Sequence, residues 1–283
     1  MSDIFWDKLG SGLRPVAVEL DPPAEGDGAP FLEDARILRD AGADAVTIAD
    51  SPMGRARADS CLLACKLRRE LGVEVLPHMT CRDRNWTAVK ALLLGLAIED
   101  LHSVLLVAGD PVPPQDREEV RGVFHFGTPE LVRRVSELGR EGTFFRIFCA
   151  LNVNARDFDG QLRHAREKEE AGACGFLTQP VLSQTALDNL KRARETLRGK
   201  LLGGIYPVVS HKNACFLDSQ VPGISVCEEI RALYEGKDRA EGESLAEEIS
   251  VRIAQETAPW TDGTYLMTPF RRVALVSRIL RRL

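Results

Sequence analysis

Nothing in this 283-residue sequence approaches the ~20 consecutive apolar residues that cross a bilayer as a helix, so no membrane partner is expected. The opening segment, Met1-Ser2-Asp3-Ile4-Phe5-Trp6, lacks a basic stretch followed by an apolar one, which argues against a secretory leader. An excess of positive charge is also missing. Thirty-seven Lys and Arg face 42 Asp and Glu, and the net charge of −5 gives no electrostatic footprint for nucleic acid. The seven cysteines are odd in number and scattered, which excludes a disulfide framework and points to reduced thiols in the cytoplasm. There is no Cys-x-x-Cys pair. His78 with Cys81, or His211 with Cys215, could offer nitrogen and sulfur ligands, but without such a pair no metal site is expected. No Gly-x-Gly-x-x-Gly follows the first strand, which weakens a dinucleotide-binding open sheet. No linker composition divides the chain, so 1–283 reads as one domain.

What the sequence does contain is alternation. Short runs rich in β-branched residues are followed by longer segments with helical spacing. Strands are expected at 15–20, 45–48, 73–78, 103–107, 144–151, 175–178, 201–208 and 264–267. Helices are expected at 31–41, 59–71, 86–96, 129–139, 158–171, 184–197, across 212–256 with a break at Pro222-Gly223, and at 271–283. Gly42 and Gly72 stop the first two. Eight strand–helix units imply a parallel sheet covered by helices, and in this length they favour closure into a single (β/α)8 TIM barrel. The last helix places Val273, Val276, Leu280 and Leu283 on one stripe that packs on the barrel, with its arginines outward.

Barrels of this kind carry their chemistry at the C-terminal ends of the strands. Polar residues stand at nearly every such end: Glu19 and Asp21, Thr47 and Asp50, His78, Gly109-Asp110, Asn152 and Asn154, Thr178-Gln179, His211, and Thr268. Glu19 lies inside an apolar strand, where desolvation should raise its pKa and keep it protonated for general-acid work. Asp110 follows a glycine that lets the backbone approach a ligand, and its charge could stabilise a cation or fix a polar ring. Gly127-Thr128-Pro129 reads as a helix start with Thr128 as N-cap, a place where phosphate can bind. Lys168, on the helix after strand five, could reach the same phosphate.

The runs Val18-Glu19-Leu20-Asp21-Pro22-Pro23, Pro77-His78-Met79-Thr80-Cys81-Arg82-Asp83 and Gly109-Asp110-Pro111 resemble the methylenetetrahydrofolate reductase family. So do Ala171-Gly172-Ala173 with Thr178-Gln179-Pro180, and Gly204-Ile205-Tyr206-Pro207-Val208. The ending Tyr265-Leu266-Met267-Thr268-Pro269-Phe270 is similar to the branch found fused to a homocysteine methyltransferase. The resemblance implies a flavoprotein of one-carbon metabolism and methionine biosynthesis, usually holding FAD, that reduces 5,10-methylenetetrahydrofolate to 5-methyltetrahydrofolate. By the same resemblance Glu19 protonates N10 of the folate to open its five-membered ring, and reduced flavin delivers hydride to the resulting iminium. Asp110 favours that cation beside flavin and pterin. Thr47, His78, Gly109, Gly127, Thr128, Asn154, His164 and Lys168 match cofactor-binding positions, and Gln179 and His211 match substrate-binding ones.

The sequence departs from the family pattern at several places. Ala108 stands where an arginine often precedes the Gly-Asp pair, and Gln161 where an acidic residue often helps bind the flavin. Leu151-Asn152-Val153-Asn154 lacks the tyrosine and histidine of the better-known branch, and His211 replaces an aromatic that stacks on nicotinamide. These changes keep FMN open beside FAD. They also set electrons from a partner subunit, to a flavin-carrying chain, beside direct use of NADH or NADPH. A homo-oligomer is equally open. A zinc- or pterin-dependent methyltransferase barrel is a further alternative, and its clustered Cys/His set at the strand ends is not found.

Overall fold

The computed structural model describes residues 4–283, so the first three residues of the opening segment lie outside it. Eight parallel strands close on themselves in sequence order: β1 (Val16–Leu20), β2 (Ala45–Ile48), β3 (Glu74–Thr80), β4 (Ser103–Val107), β5 (Arg146–Leu151), β6 (Gly175–Pro180), β7 (Lys200–Ile205) and β8 (Gly263–Met267). The expected (β/α)8 barrel is the fold. Closure pairs β1 with β8 as well as β2, with Glu19 level with Thr47 on one side and Met267 on the other.

Helices follow where apolar spacing and capping chemistry agree. Between β2 and β3, α3 (Ser60–Leu71) starts at Asp59, whose carboxylate accepts the backbone N–H groups of Cys61 and Leu62. It ends at Gly72 in the left-handed region. Around the barrel, α2 (Ala29–Asp40), α4 (Trp86–Ile98), α5 (Thr128–Arg140), α6 (Phe158–Ala171) and α7 (Gln184–Thr196) cover the outer face of the strands. The helical stretch expected over 212–256 breaks at Pro222-Gly223 as expected and once more before Arg239, giving α8 (His211–Gln220), α9 (Glu228–Leu233) and α10 (Arg239–Thr257), the last opened by a capping box between Asp238 and Glu241. The final helix, α11, covers only Val273–Leu280, because Phe270 and Arg271 before it take left-handed backbone.

One element has no counterpart in the sequence reading. Helix α1 (Ile4–Ser11) pushes Phe5 and Leu9 against the inward residues Ala17, Leu76, Phe148 and Leu202, sealing the N-terminal end of the barrel. Trp6 in the same helix donates from Nε1 to Glu74 (2.9 Å) and to Ser103 (3.1 Å). With that end plugged, the open end is the C-terminal mouth.

Candidate active site

Alternation along a strand sends every second side chain inward. In β1, Ala17 joins the interior cluster while Val18 and Leu20 join the helix-facing core, so Glu19 points into the barrel. Its side chain retains 20% exposure, enough to meet a ligand from the mouth. Tyr265 lies level with Ala17, one layer lower, and the length of its ring lifts the hydroxyl to donate to Glu19 Oε2. His78 Nε2 lies 3.6 Å from the same oxygen. Burial pushes the Glu19 carboxyl up to about 7, with the charge of Asp21 adding to the rise and the Tyr265 hydrogen bond opposing it. Burial lowers His78 to about 3, so near neutrality this pair is a neutral imidazole beside a carboxyl group, not an ion pair.

The exits of β2, β3 and β4 are tied together. Asp110 is exposed in the loop after β4, and its Oδ2 accepts the backbone N–H of Met53 at 2.6 Å. Gly109 before it has φ +81°, and an added Cβ would meet Thr80 and the Cβ of Arg82 at 3.0–3.2 Å, so both conformation and space favour glycine there. Arg82 is 2% exposed and donates from Nη1 to the carbonyls of Ser51 (3.1 Å) and Asp110 (3.4 Å). Arg84 bridges Asp50 (2.6 Å) and Asp59 (2.8 Å), and Asp50 in turn accepts the N–H of Thr80.

On the other side of the mouth, β6 ends in a register shift between Leu177 and Pro180, and Gln179 sits in it. Such irregularities re-aim side chains near sites. The shift rests on Gly204, where a Cβ would fall 2.3 Å from the Thr178 carbonyl. Asn154 spends its amide N–H groups on the carbonyls of Pro180 and Gly223, both at 3.0 Å, tethering the segment between α8 and α9; its Oδ1 is buried and unpaired. Lys168 is buried, and its ammonium donates to the Ala150 carbonyl at 3.0 Å; burial lowers its pKa. His164 is half-buried on α6 and lies 3.2 Å from Glu167. His211 opens α8, with Cys215 Sγ 3.8–3.9 Å from its ring nitrogens.

Two sequence expectations change here. Thr128 is not the N-cap of α5: Gly127 occupies that position, Thr128 is the first helical residue, and no side chain caps the helix. The cap is displaced by one residue because Gly127 already has the extended backbone a cap requires. Tyr265, which the sequence offers only as part of the C-terminal motif, is the direct partner of Glu19. The two-residue period of β8 marks Tyr265 as inward-facing with Met267, and closure of β8 on β1 is what brings it to Glu19.

Thr47 and His78 are buried inside the mouth, the Thr47 hydroxyl against the Tyr265 phenol and His78 Nε2 without a hydrogen bond among the described residues, and an unmet buried polar group costs ~1–3 kcal/mol. That unmet imidazole nitrogen beside a hydroxyl fits a planar group with polar edges such as a flavin, while the Lys168 ammonium is held by the Ala150 carbonyl. Among the described residues no group of three or more His, Cys, Asp or Glu could hold a metal ion, and Cys81 faces the helix core while His78 faces the barrel. Among the same residues no helix is long and apolar enough to cross a membrane.

Fold and mouth together define a (β/α)8-barrel protein whose polar side chains gather at the C-terminal ends of its strands. The chain belongs to the methylenetetrahydrofolate reductase family, which matches residues 7–268. A probable methylenetetrahydrofolate reductase (NADPH) of Caenorhabditis elegans is 24% identical over 209 residues, 70% of this chain; the chain spans 31% of that relative's length. An uncharacterised protein from Clostridium thermocellum that binds two copies of 5-methyl-5,6,7,8-tetrahydrofolic acid shares the fold with a TM-score of 0.69 and 13% identity, covering 99% of this chain and 97% of its own. A 2,3-dimethylmalate lyase shares it more distantly, with a TM-score of 0.56 and 11% identity, covering 97% of this chain and 84% of its own.

Proposed function

We propose that this chain reduces 5,10-methylenetetrahydrofolate to 5-methyltetrahydrofolate with the help of a bound flavin, and that Glu19 is the general acid. The observation that carries the reading is the Glu19–Tyr265 couple: a carboxyl whose pKa of about 7 keeps a substantial protonated fraction at neutral pH. Glu19 holds its proton at the interior of the mouth, Tyr265 fixes the carboxyl by donating to Oε2, and the proton goes to N10 of the folate to open the five-membered ring. Asp110, anchored by the Met53 N–H, favours the cation left at N5. A flavin, FAD or FMN, supplies hydride chemistry when bound. Thr47, His78, Gly109 and the Gly127–Thr128 turn, with Lys168, are our assigned flavin contacts, joined by His164 and by the free Oδ1 of Asn154. Gln179 and His211 are assigned to the folate.

The family membership and the folate named for the Clostridium protein support the substrate class. The name of the worm relative makes NADPH the first donor to try, followed by NADH and then a partner subunit. The deciding experiment pairs absorbance and mass analysis of any flavin in purified protein with anaerobic folate turnover by wild type and Glu19→Gln. The variant should take up the same flavin, while folate reduction slows by roughly 10²–10⁴-fold. Full turnover by the variant would sink the acid assignment, and protein that takes up neither FAD nor FMN would sink the flavin reading.

A further inference from the structure

We infer that Arg82 is a positioning residue for Asp110, acting through a clasp across three strand exits; this rests on the role proposed for Asp110. Among the described residues the Arg82 side chain hydrogen-bonds Asp83 and the carbonyls of Ser51 and Asp110, and not Glu19. It donates to the Ser51 carbonyl, in the loop that presents the Met53 N–H, and to the carbonyl of Asp110, whose carboxylate accepts that N–H. Both halves of the Met53–Asp110 hydrogen bond are therefore held by one guanidinium. Ser51 and Met53 have left-handed backbone, at φ 47° and 57°, which non-glycine residues adopt only when their surroundings impose it. The two loops are also pressed together: a Cβ on Gly54 would lie 2.5 Å from the Pro111 carbonyl. The backbone carbonyl of Arg82 accepts the N–H groups of Val123 (2.5 Å) and Phe124 (3.3 Å), extending the clasp to the far end of the loop after β4. The charge of Arg82 is met by Asp83, which is 41% exposed and can be solvated if the arginine is removed. A buried guanidinium is a costly way to hold a fold that an apolar side chain could pack. Here its fork reaches carbonyls of two separate loops, which no apolar residue can do.

The test is Arg82→Met, with Arg82→Lys as the second variant should the first fail to fold. Residue-level hydrogen exchange should show the Met53 amide opening at least about tenfold faster, with amides of β1 and β5 unchanged. Folate turnover should fall about 10–100-fold in kcat with KM moved less than about threefold, since a misplaced charge acts on the transition state. In an Asp110→Ala background the same Arg82 substitution should cost less than about threefold. Unchanged Met53 exchange, or an equal kcat loss in both backgrounds, overturns the inference. If wild type turns over no folate, the proposed function fails while the exchange measurement still decides the clasp.

Discussion

A carboxyl group in a barrel interior has two easy fates, pairing with a cation or staying protonated, and Glu19 is set for the second. Its neighbours are a neutral imidazole, a phenol and the carboxyl of Asp21, and its pKa rises from the ordinary 4.5 to about 7. Because the folded value lies above the unfolded one, Glu19 withdraws stability as pH rises from about 4.5 through 7, the interval over which an unfolded chain releases the proton more readily. Glu19→Gln should therefore match wild type in urea unfolding at pH 4.5 and exceed it at pH 8, by at most about 3 kcal/mol. A variant no more stable at pH 8 would mean that the carboxyl is not strained by burial. Tyr265 acts in the opposite direction, since its hydrogen bond favours the anion. Tyr265→Phe should raise the Glu19 pKa and move the alkaline limb of the kcat–pH profile to higher pH. A limb that stays in place or moves to lower pH would count against the couple. The interior position of Glu19 was legible from its place in an apolar run. The partner was not, because Tyr265 is 246 residues away and meets it only through closure of β1 on β8.

Among the elements, most strands and helices were legible within a few residues. The barrel strands are buried on both faces and read as continuous apolar runs, and the helices carry side-chain caps at Asp59, Asn85, Ser183 and Ser210. Helix α1 was not legible, since its eight residues are too few to show a periodic pattern and its purpose lies in the barrel end it covers. Phe5 is fully buried there. Phe5→Ala should lower unfolding free energy by about 3–5 kcal/mol while leaving the mouth intact, so that kcat of the folded enzyme is nearly unchanged. Denaturant unfolding and turnover at low temperature check both halves. The boundary of α11 was missed for a related reason, as the left-handed backbone at Phe270 and Arg271 is imposed by packing and not by residue type.

For the whole molecule, α1 packed against the N-terminal end of the barrel leaves ligands to enter, as proposed, from the C-terminal ends of the strands. A flavin held as proposed by Thr47, His78 and Lys168 would bind only the folded state, so adding FAD or FMN at 100 times its Kd should stabilise the protein by about 2.7 kcal/mol. A melting temperature unmoved by either flavin would speak against those contacts. The order of strands and helices, the face on which polar residues gather, and the identity of Glu19, Asp110 and Gln179 as candidates were all determined by the sequence itself. They follow from local periodicity, turn chemistry and short motifs, which are properties of neighbouring residues. Only the tertiary structure decided that Tyr265 meets Glu19, that His78 is a neutral neighbour, that Asn154 tethers a loop, and that Arg82 locks the strand exits around Asp110. Those relations depend on closure of the barrel and on desolvation inside it, and both arise between residues far apart in the chain.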